Sequence, residues 1–251
     1  SKYFRSIVSP LPNRWNTLYL GPFTPWMVMG MRIRWLGHSA FQVNSGGLEI
    51  LIDPFISGNP KCPVSVEELN PDLILVTHAH EDHLGDAFEI AKAKESKIIS
   101  IHEIAVKAEE KGVKAEGMNI GGSIKEGELE IIMVRADHSS ELGSPAGFVL
   151  MDEETSLYHT GDTGIFSDMK LISELYKVEV ALLPIGSRYT MGIREATKAA
   201  ELISPKVIIP MHYGTFPVIE ADPNEFKRRV ESSVPGTKVV VLNPGEEYKH
   251  P

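Results

Sequence analysis

Every side chain from Leu73 to Val76 is apolar, and the residues that follow, Thr77-His78-Ala79-His80-Glu81-Asp82-His83-Leu84-Gly85, crowd imidazoles and carboxylates together. A short, uniformly apolar run reads as a buried strand. His78 and His80, two apart in extended chain, project to the same side of it. Asp82 and His83 follow as the backbone turns into the next helix, so four groups able to ligate a metal gather at one strand end. Imidazole nitrogen and carboxylate oxygen suit Zn²⁺, Mn²⁺ or Fe²⁺, and the lack of thiolate disfavours a structural zinc. The plain alternative is a loop rich in histidine by chance. Four ligating groups within six residues weigh against it.

The surrounding text alternates as an α/β protein does. From Met31, β-branched runs over 33–36 and 48–52, bounded by Gly, Asn and Ser, predict antiparallel strands. After Pro71 the pattern predicts a strand over 73–77, a helix over 84–94, a strand over 97–101 and an amphipathic helix over 103–111 that stops at Gly112. The second half predicts strands over 129–134, 146–151 and 156–159, then a helix over 168–176 and a strand over 178–183. A helix over 194–203, a strand over 206–210, a helix over 223–232 and a strand over 237–242 follow. Each half passes from hairpins to helix–strand units, so two similar halves should face one another.

Residues 1–30 read differently: they hold no Asp or Glu, four prolines and six aromatics, Trp15 and Trp26 among them. They predict an irregular extension, or sequence upstream of a natural start at Met27, Met29 or Met31. The sharper reading is an aromatic arm packed on the domain or on a second subunit, which leaves a homo-oligomer open. The prolines deny this stretch the apolar core of a secretory signal. No segment approaches the ~18 apolar residues of a membrane span, so a soluble protein is expected.

Composition narrows the function. Nine histidines stand against one cysteine, Cys62, which excludes an intrachain disulfide scaffold and a Cys-rich zinc module and fits a reducing, cytoplasmic setting. The formal charge of −9 argues against an electrostatic grip on nucleic acid. Four ligands are too few for two metals, and three more candidates stand at later strand ends. These are His138 in Ala136-Asp137-His138-Ser139-Ser140, Asp162 in His159-Thr160-Gly161-Asp162-Thr163-Gly164, and His212 in Pro210-Met211-His212-Tyr213-Gly214. Singly, each could be a turn Asp or a loop His. Their recurrence after successive strands favours ligation, and the glycines flanking Asp162 would let the backbone turn sharply toward an ion.

The order His78-x-His80-x-Asp82-His83, then His138, Asp162 and His212, resembles the metallo-β-lactamase superfamily. Trp35-Leu36-Gly37-His38-Ser39-Ala40, Leu51-Ile52-Asp53-Pro54-Phe55 and Pro210-Met211-His212-Tyr213-Gly214-Thr215-Phe216-Pro217 resemble one branch more closely. That branch is the predicted metal-dependent hydrolases related to L-ascorbate-6-phosphate lactonase. The resemblance runs over 31–247 and specifies no substrate. It implies a single-domain, four-layer αβ/βα sandwich over 31–251, with the site at the shared edge of two facing sheets. It also implies one metal on His78, His80 and His138, a second on Asp82, His83 and His212, and Asp162 bridging. The ions would be zinc or manganese, with iron as a further option and single occupancy known among relatives of the lactonase type.

With such ions a metal-activated hydroxide is the expected nucleophile, and Asp82 the catalytic residue that orients it and shuttles a proton. Asp53 is a candidate to hold a ligating imidazole and His38 to meet substrate or metal-bound water, against plainer readings as a turn Asp and a buried, bonded His. Arg188, in Ser187-Arg188-Tyr189, suits a carboxylate or phosphate, against a solvated loop. His159 reads as structural, His102 and His250 as surface residues, Cys62 as a small apolar residue and Gly121-Gly122 as a turn. The leading expectation is a hydrolase of a small ester or lactone. Its anionic preference follows from the positive charge of two ions, which exceeds that of Asp82, Asp162 and one hydroxide. A phosphodiesterase acting on a small diester or nucleic acid is the first alternative and a non-hydrolytic metal-dependent sensor the second. Di-iron oxidoreductase relatives carry a carboxylate where His80 stands and a flavin-binding partner domain, which disfavours redox chemistry.

Overall fold

In the computed structural model of the protein, residues 30–251 are described, so the expected extension over 1–30 lies outside the described residues except for Gly30. The first half begins with strands β1 (Arg32–Trp35), β2 (Phe41–Ser45) and β3 (Leu48–Ile52). It continues through β4 (Leu73–Val76), the short helix α1 (Glu81–Leu84), α2 (Ala87–Lys94), β5 (Lys97–Ile101), α3 (His102–Glu110) and β6 (Ala115–Met118). The second half holds β7 (Ser123–Glu126), β8 (Leu129–Arg135), β9 (Ala146–Met151), β10 (Ser156–His159), α4 (Met169–Tyr176) and β11 (Val180–Pro184). Helix α5 (Ile193–Ile203), β12 (Val207–Met211), α6 (Pro223–Ser233) and β13 (Lys238–Val239) follow, and β14 (Glu247–Lys249) comes last.

These strands form two seven-stranded sheets, ordered β14-β1-β2-β3-β4-β5-β6 and β7-β8-β9-β10-β11-β12-β13 when each is read from its antiparallel edge. The two sheets share one grammar. Three antiparallel pairings lead to three parallel ones in the first sheet and again in the second. Side-chain alternation then sorts the layers. In β8, Leu129, Ile131 and Met133 join the core between the sheets, while Ile132 and Val134 join a second core with Ala196, Ala199 and Phe226 of α5 and α6. β12 repeats the split, with Val207, Ile209 and Met211 on one side and Ile208 on the other. Helices α2 and α3 seal the first sheet through Ile90 and Ile104, which completes a four-layer, single-domain αβ/βα sandwich.

The structure departs from the sequence expectations in five places, the first being β2 (Phe41–Ser45), a strand inside the first sheet that the sequence pattern did not disclose. The helix predicted over 84–94 begins only at Ala87, and a separate short helix, α1, precedes it: Gly85 parts the two at φ 42°, where a Cβ would lie 2.4 Å from the Pro54 carbonyl oxygen. The strand predicted over 237–242 shortens to Lys238–Val239. Its ladder with β12 continues only to the bond from Val240 N to Ile208 O, since Pro210 has no N–H for the next rung. Strands β6, β7 and β14, which the sequence pattern did not disclose, all lie at or beside sheet edges and carry few β-branched residues. His250, expected at the surface, is buried: its backbone N–H bonds Met31 O and its ring lies 2.9 Å from Glu179 Oε2. His102 is exposed as expected, and Gly121-Gly122 does form the turn between β6 and β7. Among the described residues no helix is long and apolar enough to cross a membrane.

Candidate metal centre

Strands that end at one rim of the sandwich deliver the polar residues there. His38 follows β1, Asp53 follows β3, and His78, His80, Asp82 and His83 follow β4. His138 follows β8, Asp162 follows β10 and His212 follows β12. Bonds across the two sheets close the rim: His212 N to His38 O at 3.0 Å, Ala146 N to Thr77 O at 3.0 Å, and the His159 ring nitrogen Nε2 with Ser39 O at 3.0 Å. His159 is thus a structural strut, as its place in the sequence suggested.

The backbone is strained where these loops turn. Among the described residues, eight non-glycine residues adopt left-handed φ, and Glu95, Lys177 and Ser204 do so merely as helix C-caps. The other five are His38, Asp53 and His212 within the cluster and Ser187 and Arg188 in the neighbouring loop. Such conformations cost about 1–3 kcal/mol each and persist only where surroundings over-determine them. Gly161 serves the same turn: at φ 63°, with a Cβ that would lie 2.5 Å from Ala146 O, it brings Asp162 inward as expected, whereas Gly164 has no left-handed φ.

Three imidazoles converge on one oxygen. Nε2 of His212, His83 and His138 lie 3.0, 3.3 and 3.7 Å from Asp162 Oδ2. His78 Nε2 is 2.9 Å from His80 Nδ1. The candidate ligand atoms of His78, His80 and His138 lie within 4.8 Å of one another, as do those of Asp82, His83, His212 and also His38; Asp162 groups with His78 and His83. His83 Nε2, Asp162 Oδ1 and His212 Nδ1 are buried without a hydrogen-bond partner. Buried polar atoms left unpaired need a reason, and a donor set of imidazole and carboxylate with free lone pairs fits a divalent cation. Asp82, 34% exposed, stands at the mouth, beside the half-buried His80 and His138.

Asp53 and Thr77 organise the interior of the cluster. Asp53 Oδ1 accepts the Thr77 backbone N–H at 2.8 Å, and Oδ2 accepts the Thr77 hydroxyl at 2.7 Å and His83 Nδ1–H at 2.7 Å. The same hydroxyl accepts from His78 Nδ1 at 3.0 Å. These bonds put a proton on Nδ1 of both His78 and His83, so that in the neutral ring of each the lone-pair nitrogen Nε2 faces the cluster. Thr77 has no role visible in the sequence beyond its place before His78. The same is true of Ser140, whose hydroxyl accepts the Ala79 N–H at 3.2 Å, and of Thr215, whose hydroxyl lies 2.9 Å from His38 Nδ1.

Electrostatics favour a cation at this position. Burial opposes the charged form of His83, but the carboxylates of Asp162 and Asp53 outweigh it and raise its pKa well above the ordinary value. Burial likewise opposes charge on Asp162, yet His212 and His83 hold its carboxyl well below the usual range. Burial drives His78 down, and the neighbouring His83 adds to that. A buried place that holds a proton between two carboxylates will accept a metal ion instead, with release of that proton.

Arg188 is the candidate that the fold does not bring into the cluster. It is exposed, its guanidinium lies 5.6 Å from the Tyr189 ring centre, and it makes no hydrogen bond among the described residues. Its loop is nevertheless tied to the rim, since Met191 N bonds Thr163 O at 3.0 Å and a Cβ on Gly186 would lie 2.1 Å from His212 O.

A four-layer αβ/βα sandwich with His and Asp gathered at one rim defines a class, and residues 32–212 match the family described as Beta-lactamase superfamily domain. The chain belongs to that superfamily and, within it, to the UPF0173 family of metal-dependent hydrolases. A UPF0173 metal-dependent hydrolase of Methanopyrus kandleri is 58% identical over 229 residues, covering 87% of this chain and 100% of that protein. One of Methanosarcina barkeri is 55% identical over 228 residues, covering 87% and 98%. The solved structure of Igni18, described as a novel metallo hydrolase from Ignicoccus hospitalis, superposes with a TM-score of 0.84 at 45% identity and covers 88% of this chain and 98% of that one.

Proposed function

We propose that the chain is a metal-dependent hydrolase that holds two divalent ions, zinc or manganese, and opens a small ester or lactone carrying an anionic group. The convergence of His83, His138 and His212 on Asp162 Oδ2 carries this reading. The hydrolase names of its relatives support the reaction class. His78, His80 and His138 would hold one ion, Asp82, His83 and His212 the other, and Asp162 would serve both. When bound, such ions supply a water whose pKa lies near 7 and a Lewis acid for the substrate's carbonyl oxygen.

The protein's own residues supply position and proton transfer. Asp82, at the mouth, orients the attacking water and takes its proton. Asp53 and Thr77 hold the imidazoles of His83 and His78 in their ligating tautomers. Arg188, on a loop anchored to the rim, meets a carboxylate or phosphate on the substrate. The negative net charge opposes an extended polyanion and so places small carbonyl substrates ahead of nucleic acid. A reducing, cytoplasmic setting suits a chain with one cysteine.

Metal analysis after expression without added metal, followed by a panel of lactones, esters and chromogenic phosphodiesters with Zn²⁺ or Mn²⁺, tests the reading. Two ions per chain and turnover of lactones or esters are expected. Turnover of diesters alone overturns the substrate class. Metal uptake without any turnover moves the chain to a sensor role, and no uptake removes the centre altogether.

A further inference from the structure

His38 is more constrained than any reading of it as a substrate contact requires. Its ring is fully buried. Its ring centre lies 4.1 Å from that of His212 and 5.7 Å from that of His83, and the Phe55 and Phe216 rings stand steeply inclined to it with their centres at 5.7 and 5.8 Å. Its backbone is left-handed at φ 55°, directly after Gly37 at φ 93°. Two donors lock that turn: the Trp35 indole Nε1–H gives to His38 O at 2.9 Å, and the His212 backbone N–H gives to the same oxygen at 3.0 Å. The strained turn is therefore held from both sheets, and what it holds in place is the ring.

Both ring nitrogens are engaged. Nδ1 lies 2.9 Å from Thr215 Oγ1, and Nε2 lies 3.1 Å from Asp82 Oδ2. A carboxylate only accepts, so Nε2 carries the proton; in a neutral ring Nδ1 then accepts, and the Thr215 hydroxyl must donate. Thr215 has no other hydrogen bond among the described residues, so its proton is free for this one. The arrangement mirrors the first sheet's device with the roles exchanged. There a carboxylate, Asp53, fixes an imidazole; here an imidazole fixes a carboxylate.

We propose that His38 is a positioning residue for Asp82: as the Nε2–H tautomer set by Thr215, it engages one carboxylate oxygen and leaves the other to the ion shared with His83 and His212. This rests on the two-ion reading given above. The rival role is His38 as a ligand in its own right, since its ligand atom lies within 4.8 Å of those of Asp82, His83 and His212. The roles differ in one observable, the proton on Nε2. A ligand must lose it, and a positioning donor must keep it.

Calorimetric titration of the metal-free protein with Zn²⁺, together with ¹⁵N imidazole spectra of the loaded protein, decides the matter. Wild type is expected to bind two ions, with a protonated Nε2 on His38 in the loaded state. His38→Asn suits the left-handed backbone but cannot reach Asp82. It should weaken the second ion about ten- to a hundredfold, the usual effect of losing such a support, and leave the first unchanged. His38→Gln, whose amide can donate from the place of Nε2, should recover most of that loss. Thr215→Val should weaken the second ion in the same direction, because the tautomer is no longer set. Wild-type affinity for both ions in His38→Asn and Thr215→Val overturns the proposal, as does a loaded His38 without a proton on Nε2. Uptake of a single ion by wild type is seen before any variant is made; it overturns the two-ion reading and the proposal with it.

Discussion

The first sheet supplies His78, His80, Asp82 and His83 from one turn of six residues, whereas the second supplies His138, Asp162 and His212 from three separate strand ends. The first set is arranged locally. One buried strand, a helix of four residues and the Asp53–Thr77 pair aim most of it, with His38 against Asp82. The second set is arranged by sheet register, because β8, β10 and β12 must all end at the same rim before their residues can meet. The contrast teaches where each half is fragile. In the first half a support can fail while its neighbours persist, but in the second each residue is alone on its loop, and Asp162 touches partners from both sheets.

Asp162→Ala should break the contrast most severely. One or both ions should be lost and turnover should fall on the order of a thousandfold, since bound metal is worth several kcal/mol to the transition state and each 1.4 kcal/mol is tenfold. Metal content and kcat measured on the same preparation check this, and wild-type turnover would sink the site assignment. Asp53→Ala tests the local support of the first half. Its metal affinity should fall about ten- to a hundredfold while the other ligands remain in place, which a competitive chelator titration reads.

Two smaller effects sharpen the comparison at its edges. Arg188→Met should raise KM for an anionic ester by about fivefold with kcat little changed, as expected for about 1 kcal/mol of exposed charge recognition; an equal change for a neutral ester would remove Arg188 from substrate recognition. The smallest effect concerns Glu179. Burial opposes its charge, but Lys206 and His250 outweigh this and lower its pKa below the ordinary 4.5. A lowered folded value stabilises above the unfolded pKa, and the benefit is lost as pH falls through the folded one. Glu179→Gln should therefore be less stable than wild type by at most about 1 kcal/mol at pH 7, with the gap closing toward pH 3 in urea melts. A gap that does not change with pH would mean the pair acts through packing.

Much of this is legible in the sequence alone. The β4 junction carries its chemistry within six residues, and buried strands such as β4, β11 and β12 announce themselves by uniform apolar runs, whereas β2, with Gln42 and Asn44 between its core residues, does not. The break at Gly85 is not legible, because the left-handed turn and the nearness of the Pro54 carbonyl that together exclude a side chain there arise only in the folded chain. Thr77, Ser140 and Thr215 were likewise silent: a hydroxyl's role depends on which distant group comes within 3 Å, and no spacing rule encodes that. His250 is hidden for the same reason, since its partners, Met31 and Glu179, are both distant in sequence. Arg188 shows the converse, a residue of suggestive type that the fold leaves at the rim rather than in the cluster.

The matching grammar of the two sheets has one irregularity. The place that β7 fills in the second sheet is filled in the first by β14, from the far end of the chain. The first half is thus completed only after the second has been made: the second half of the chain encodes all seven strands of its own sheet, whereas the first half lacks one of its own. β14 pairs with β1 while His250 reaches Glu179 beside β11, which makes the C-terminal segment a buckle across the seam. During synthesis the edge of β1 must wait uncovered until β14 emerges, and disruption of residues 247–249 should loosen a sheet whose other strands lie about 130 or more positions earlier.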